Sequence, residues 1–208
     1  MPLTVGFDLD LTLIDTKPGM VALLDRLADL YGVPLDSEHF GANLGPPLEI
    51  LLPRCGMPED LVPRAVIEFR TSYPEVVIPS TVTMPGAAEA IAAVRAVGGK
   101  VFVITGKYQP NAVLHMEALG WEIDGLAGEL WAVGKADALR EHGVEVYVGD
   151  HVGDIEGALA AGATAVGVTT GPYDADELRD AGAQVVLSGL GEFPRWLARH
   201  AGSAGAPR

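Results

Sequence analysis

Apolar residues along this chain fall into short, nearly continuous runs, separated by longer stretches with helical spacing. The runs are Leu3 to Leu9, Lys100 to Thr105, Gly125 to Trp131, Glu145 to Gly149, Ala163 to Val168 and Gln184 to Leu187. Strands apolar at almost every position belong to sheets covered on both faces. Between them, helices are predicted at Gly86 to Val97, Pro110 to Leu119, Lys135 to His142, Gly153 to Ala161, Ala175 to Ala181 and Leu190 to Arg199. This alternation predicts an α/β fold with a doubly wound parallel sheet. It stops between Thr16 and about Thr83. There the pattern predicts helices at Gly19 to Tyr31 and Asp60 to Tyr73, turns around Leu44-Gly45-Pro46-Pro47 and Pro53, and a short strand at Val76-Val77-Ile78. The chain thus divides into a core (1–15 and 84–200), a small helical insertion (16–83) and a frayed tail (201–208).

Composition narrows the partners. Of 208 residues 49% are hydrophobic, enough for a sizeable core. A formal net charge of -14 argues against a nucleic-acid backbone as partner. It does not exclude phosphate substrates, because a bound cation reverses the local sign. The single cysteine, Cys55, allows no intrachain disulfide. The first residues lack a basic-then-apolar leader, and no apolar run reaches membrane-span length. The expectation is a soluble, cytoplasmic protein with no membrane partner.

Candidate chemistry begins where the first strand ends, in Thr4-Val5-Gly6-Phe7-Asp8-Leu9-Asp10. In an open parallel sheet, ligands bind outside the carboxyl ends of the strands. Asp8 and Asp10 share one side-chain direction in extended geometry. Two carboxylates about 4 Å apart repel by about 4 kcal/mol at an effective dielectric near 20, so they call for a cation, a proton or a basic partner. The strand Glu145 to Gly149 also ends in acids, Asp150 and Asp154, with Gly149 and Gly153 easing the turn into a helix. If the two strands are neighbours, four acids converge, and their hard oxygens suit Mg²⁺. Asp154 has a second reading as an acid at a helix N-terminus. The strand Lys100 to Thr105 leads into Gly106 and Lys107, a hydroxyl and backbone N–H groups fit to hold phosphate oxygens. Lys135 opens a predicted helix, where the dipole disfavours a cation. Lys107 competes with it for one role.

These four elements, in this order, resemble the haloacid dehalogenase-like (HAD) superfamily. Asp8, Asp10 and Thr12 match its Asp-x-Asp-x-Thr motif; Thr105 matches the second motif, Lys135 the third, and Gly149-Asp150 with Asp154 the fourth. The segment Met84 to Lys107 and the position of the insertion resemble the phosphoglycolate phosphatase-like branch. The family usually has glycine where this chain has Leu11. The resemblance implies a Rossmann-like core with a mobile α-helical cap. It implies Asp8 as nucleophile forming an aspartyl-phosphate and Asp10 as general acid/base. It implies Mg²⁺ held by the Asp8 side chain, the Asp10 carbonyl and Asp150, with Asp154 on a metal-bound water or behind the ligands, and Thr105, Gly106 and Lys135 on the phosphoryl group. The substrate would be a small phosphorylated metabolite, and the chain a monomer or homodimer.

Asp10 argues against dehalogenation, since a chloride leaving group needs no proton. Within the insertion, Asn43 to Leu48 are the expected selectors of the leaving group, with Gly41 and Gly45 as flexible points. Arg54, Arg64 and Arg70 are candidates for an anionic tail. His151 is expected to line the site, and His39, His115, His142 and His200 to lie on the surface. A sugar-phosphate mutase and a non-catalytic phosphate-binding protein are the alternatives. A receiver-type signalling module fits less well, because the strand ending at Thr105 carries no aspartate.

Overall fold

The computed structural model describes residues 2–204. Its strands are β1 (Thr4–Phe7), β2 (Ile14–Asp15), β3 (Val82–Thr83), β4 (Lys100–Ile104), β5 (Gly125–Ala127), β6 (Val146–Gly149), β7 (Thr164–Val168) and β8 (Val185–Leu187). Its helices are α1 (Lys17–Tyr31), α2 (Ser37–Ala42), α3 (Leu48–Arg54), α4 (Val62–Val76), α5 (Ala87–Ala96), α6 (Gln109–Leu119), α7 (Lys135–Glu141), α8 (Val152–Ala161), α9 (Ala175–Asp180) and α10 (Phe193–Ala204). Proline stands in the first turn of α1, α4 and α6, where its missing N–H has no intrahelical partner to lose. Gly32, Gly120 and Gly162 close α1, α6 and α8 in the left-handed conformation.

Six strands form one parallel sheet in the order β5-β4-β1-β6-β7-β8. Helices cover both faces, as the apolar strands require. On one face Val5, Phe7, Val101 and Val148 pack with residues of α5, α6 and α10, where Phe193 meets the Phe7 ring edge-on at 5.3 Å. On the other, Ile104, Tyr147 and Ala165 pack with residues of α7, α8 and α9. Gly6 faces this second side. A Cβ there would lie 2.9 Å from the Tyr147 ring, so the missing side chain makes room for a buried tyrosine.

The segment between β2 and β3 holds four helices around their own cluster, which includes Leu23, Leu24, Leu27, Phe40, Leu51, Leu52, Phe69 and Val77. The sequence pattern predicts turns around Leu44-Gly45-Pro46-Pro47 and Pro53 and neither α2 nor α3. The strand expected at Val76–Ile78 is instead the end of α4 and the start of a 3-10 turn, Ile78–Ser80. Val77 is buried in the helical cluster, and its N–H bonds the Tyr73 carbonyl. The strand of this region is β3, paired antiparallel with β2 at the junction. Gly125 to Trp131 is strand only to Ala127. Helix α10 continues through Ala204, and residues 205–208 of the expected tail lie outside the described residues. Among the described residues, no helix is long and apolar enough to cross a membrane.

Leu11 lies in the loop between β1 and β2. It has φ 56°, a left-handed backbone that costs an L-residue about 1–2 kcal/mol. The loop holds it there: its N–H bonds the Ile14 carbonyl at 2.7 Å, and its carbonyl accepts from the Thr170 hydroxyl at 2.6 Å. Its side chain is buried in the cluster of the helical region. The leucine therefore packs beneath the helices at the expense of backbone strain. Leu11→Ala should destabilise the protein by about 2 kcal/mol. Leu11→Gly should be no worse than Leu11→Ala, the reverse of the usual order, because glycine adopts this φ freely. Urea unfolding of the two variants checks the order.

Candidate active site

The strand order puts β1 between β4 and β6, so the carboxyl ends carrying Asp8, Thr105 and Asp150 lie side by side. Asp8 follows β1 directly, and its N–H continues the ladder to the Val148 carbonyl at 2.8 Å. Asp150 follows β6, and Thr105 follows β4. These residues line a cavity of about 260 Å³ between the sheet edge and the helical region.

Lys135, the first residue of α7, reaches into this site and is 1% exposed. Its ammonium spends three donors on Asp8 Oδ1 at 3.0 Å, Asp154 Oδ1 at 2.5 Å and Tyr147 Oη at 2.9 Å. Tyr147 in turn donates to the Ile104 carbonyl. The glycine at position 6 thus has a consequence in the site, since it admits the ring that steadies the lysine. Burial works against the lysine's charge, but Asp154 and Asp8 outweigh it and raise its pKa well above the ordinary value.

Asp8, Asp150 and Asp154 are buried and each offers an oxygen within 4.8 Å of the others. Burial, opposed by Lys135 and reinforced by Asp154, pushes Asp8 up to about 6. Burial and the neighbouring Asp154 and Asp8 push Asp150 well above the carboxylate range, although Thr12 donates to it at 2.9 Å. Three buried carboxylates with one ammonium are a donor set of hard oxygens carrying surplus negative charge, which fits Mg²⁺. Asp154 also serves as a helix-start acid: its Oδ2 accepts from the His151 N–H at 3.1 Å, completing a capping box on α8. The helix-start reading of Asp154 is thus seen directly, and the same carboxylate lies within the acidic cluster.

Asp10 is not among the three clustered carboxylates. Its Oδ1 accepts from the Thr16 hydroxyl at 2.6 Å and its Oδ2 from Lys107 Nζ at 2.9 Å. The two lysines thus take different acids, Lys135 with Asp8 and Lys107 with Asp10. Lys107 also donates to Tyr73 Oη at 2.7 Å, and Tyr73 Oη lies 2.8 Å from His115 Nε2.

Glycines bring the backbone close to these acids. A Cβ at Gly171 would lie 1.8 Å from Asp150 Oδ2, and one at Gly149 would lie 2.3 Å from the Asp154 carboxyl. Gly106 lies under the loop from the helical region, where a Cβ would come 3.1 Å from the Gly45 carbonyl. That loop, Leu44 to Leu48, lines the cavity, as do Arg70 and His151. Gly45 has φ 138° and rests on the Trp131 ring. Gly41 is a packing glycine inside α2 and not a flexible point, since a Cβ there would strike Val21. Arg54 and Arg64 are exposed and do not line the cavity.

A model of the family described as haloacid dehalogenase-like hydrolase matches residues 5–124, and a second HAD-hydrolase-like model matches 135–193. The chain belongs to the haloacid dehalogenase-like hydrolases. "Probable phosphatase IndB" of Dickeya dadantii (strain 3937) is 30% identical over 92% of this chain and 91% of its own length. A phosphoglycolate phosphatase of Caulobacter vibrioides is 29% identical over 92% and 89%. The crystal structure of a "predicted phosphatase" from Clostridium acetobutylicum superposes with a TM-score of 0.82 at 20% identity, covering 96% of this chain and 99% of the other. That last likeness establishes the shared fold.

Several site residues of this HAD-like chain were not read from sequence: Tyr147, Tyr73, Thr16 and the role of Lys107 toward Asp10. His115 was expected on the surface and is 1% exposed. The signal was there. Ala112, His115 and Met116 recur at helical spacing and form the buried face of α6. His142 stacks on Phe102 and is half-buried, while His39 is exposed as expected.

Burial and the Lys107 charge push His115 down from its ordinary 6.5 to about 4. The folded protein therefore stays unprotonated there while the unfolded chain takes up a proton, so this contribution to stability is full above about 6.5 and is lost as pH falls toward 4. The total is on the order of 3 kcal/mol. Urea unfolding at pH 7 and pH 5 should show a smaller loss for His115→Gln than for the wild type.

Proposed function

We propose that this hydrolase is a Mg²⁺-dependent phosphatase of a small phosphomonoester, working through an aspartyl-phosphate on Asp8. The observation that carries the reading is Asp8 itself: a buried carboxylate on the cavity floor, tied to a buried ammonium and set beside two further acids. A surface acid needs no such setting, whereas a nucleophile meeting a phosphoryl dianion does. The phosphatase names of the relatives support the same reading.

An Asp8 oxygen forms a bond to phosphorus while the ester oxygen leaves and takes a proton from Asp10. Water then attacks the acyl phosphate, gives its proton to Asp10, and releases phosphate with Asp8 restored. Both Asp10 oxygens accept hydrogen bonds in this geometry, from Thr16 and from Lys107. Thr105, the N–H groups around Gly106 and Lys135 hold the phosphoryl oxygens. Mg²⁺, held by Asp8, Asp150 and the Asp10 carbonyl with Asp154 behind, would neutralise charge on the transferring group.

The helical region, residues 16–83, acts as the cap. Its loop Leu44 to Leu48, with Met20, Phe69 and Arg70, closes the cavity over the leaving group and excludes water. The acid/base at Asp10 separates this activity from dehalogenation.

Phosphate release from p-nitrophenyl phosphate, with Mg²⁺ and with EDTA, tests the reading. Wild-type turnover should require Mg²⁺, and Asp8→Asn should lower kcat by at least about 10³-fold. Turnover that survives in Asp8→Asn removes Asp8 as nucleophile. Substrate isomerisation without phosphate release would make the protein a mutase.

A further inference from the structure

Asp10 is gripped from both ends of the helical region. Thr16, which donates to Oδ1, precedes α1, the first helix of that region. Lys107, which donates to Oδ2, is fastened to Tyr73 on α4, the last helix of that region. Tyr73 is 1% exposed, and its ring packs in the helical cluster beside Phe69. Among the described residues its hydroxyl, however, bonds residues of the α/β core, Lys107 and His115.

The chain of bonds has one direction. An ammonium only donates, so Tyr73 Oη accepts from Lys107. The phenol's own proton then points to His115 Nε2, which accepts as the neutral imidazole. The His115 ring stands edge-on to Tyr73 at 5.7 Å, and the Lys107 ammonium lies 4.9 Å from the Tyr73 ring centre. Lys107 is held between the phenol and Asp10. Without the phenol the ammonium keeps its charge pair with Asp10 but loses the contact that fixes where the pair sits.

We propose that Tyr73 is a positioning residue for the acid/base: its hydroxyl, anchored on His115, holds Lys107 against Asp10, so that docking of α4 and alignment of Asp10 are one event. This rests on the phosphatase reading above. An open helical region would carry Tyr73 away, leave Lys107 and His115 without their shared partner, and slacken Asp10. Proton transfer is thereby confined to the closed enzyme.

The test is a double-mutant cycle of Tyr73→Phe and Lys107→Met on p-nitrophenyl phosphate hydrolysis at saturating Mg²⁺, with thermal unfolding to show that each variant is folded. Tyr73→Phe should lower kcat about 10-fold, part of the range that acid/base catalysis contributes, and leave KM within about threefold. In the Lys107→Met background the same change should alter kcat by less than about twofold, because the residue it acts through is already gone. His115→Leu, which keeps the phenol but removes its anchor, should lower kcat in the same direction by a smaller factor. Equal effects of Tyr73→Phe with and without Lys107 would overturn the proposal, as would a change in KM alone, which would make Tyr73 a leaving-group contact. Wild-type protein without any Asp8-dependent turnover would overturn the phosphatase reading and this proposal with it. Turnover with an additive cycle would overturn this proposal alone.

Discussion

Lys135 carries one positive charge into a buried site that holds three carboxylates, and much of the structure serves that imbalance. Asp8, Asp150 and Asp154 would carry three negative charges, so one ammonium leaves an excess of two, the charge of a single divalent cation. Burying these carboxylates in a low-dielectric site, with their mutual repulsion added, costs several kcal/mol, and the raised pKa values of Asp8 and Asp150 express that cost. A fold does not assemble such a cluster for stability. Its hard oxygens and surplus negative charge fit a divalent cation.

The surrounding architecture makes the cluster feasible. Adjacent parallel strands deliver Asp8 and Asp150 to one edge, and Gly149 and Gly171 let the backbone approach the carboxylates closely. Gly6 leaves space for Tyr147, which fixes Lys135. On the other side of the cavity, Asp10 is set apart from the cluster by its own partners, Thr16 and Lys107. Two chemically identical side chains two residues apart are thus given separate environments, Asp8 among buried acids and Lys135, Asp10 between Thr16 and Lys107.

Much of this was legible in the sequence. The strands buried on both faces announced the sheet, and an acid at the end of each of two strands announced the cluster. Leu11 in place of the usual glycine flagged an unusual loop, and the structure shows the left-handed backbone that such a position demands. The sequence was silent where contacts join distant segments. Nothing in the spacing of Lys107 and Lys135 says which carboxylate each will meet. The helices α2 and α3 are six and seven residues long, too short for periodicity to outweigh the Gly-Pro-Pro punctuation between them. Tyr73 and His115 escaped notice because each looks like ordinary core or surface until α4 and α6 are brought together.

The central claim is that a divalent cation completes the cluster, and thermal unfolding against Mg²⁺ concentration tests it most directly, for the wild type and Asp150→Asn. Without divalent cation, Asp150→Asn should melt at or above the wild type, because it removes a buried like charge. With Mg²⁺ at about 100 times its Kd, the wild type should gain about 2.7 kcal/mol, a rise of about 5–10 °C, while the variant moves little. A wild-type melting temperature that ignores Mg²⁺, or a variant that responds as strongly, would contradict the account.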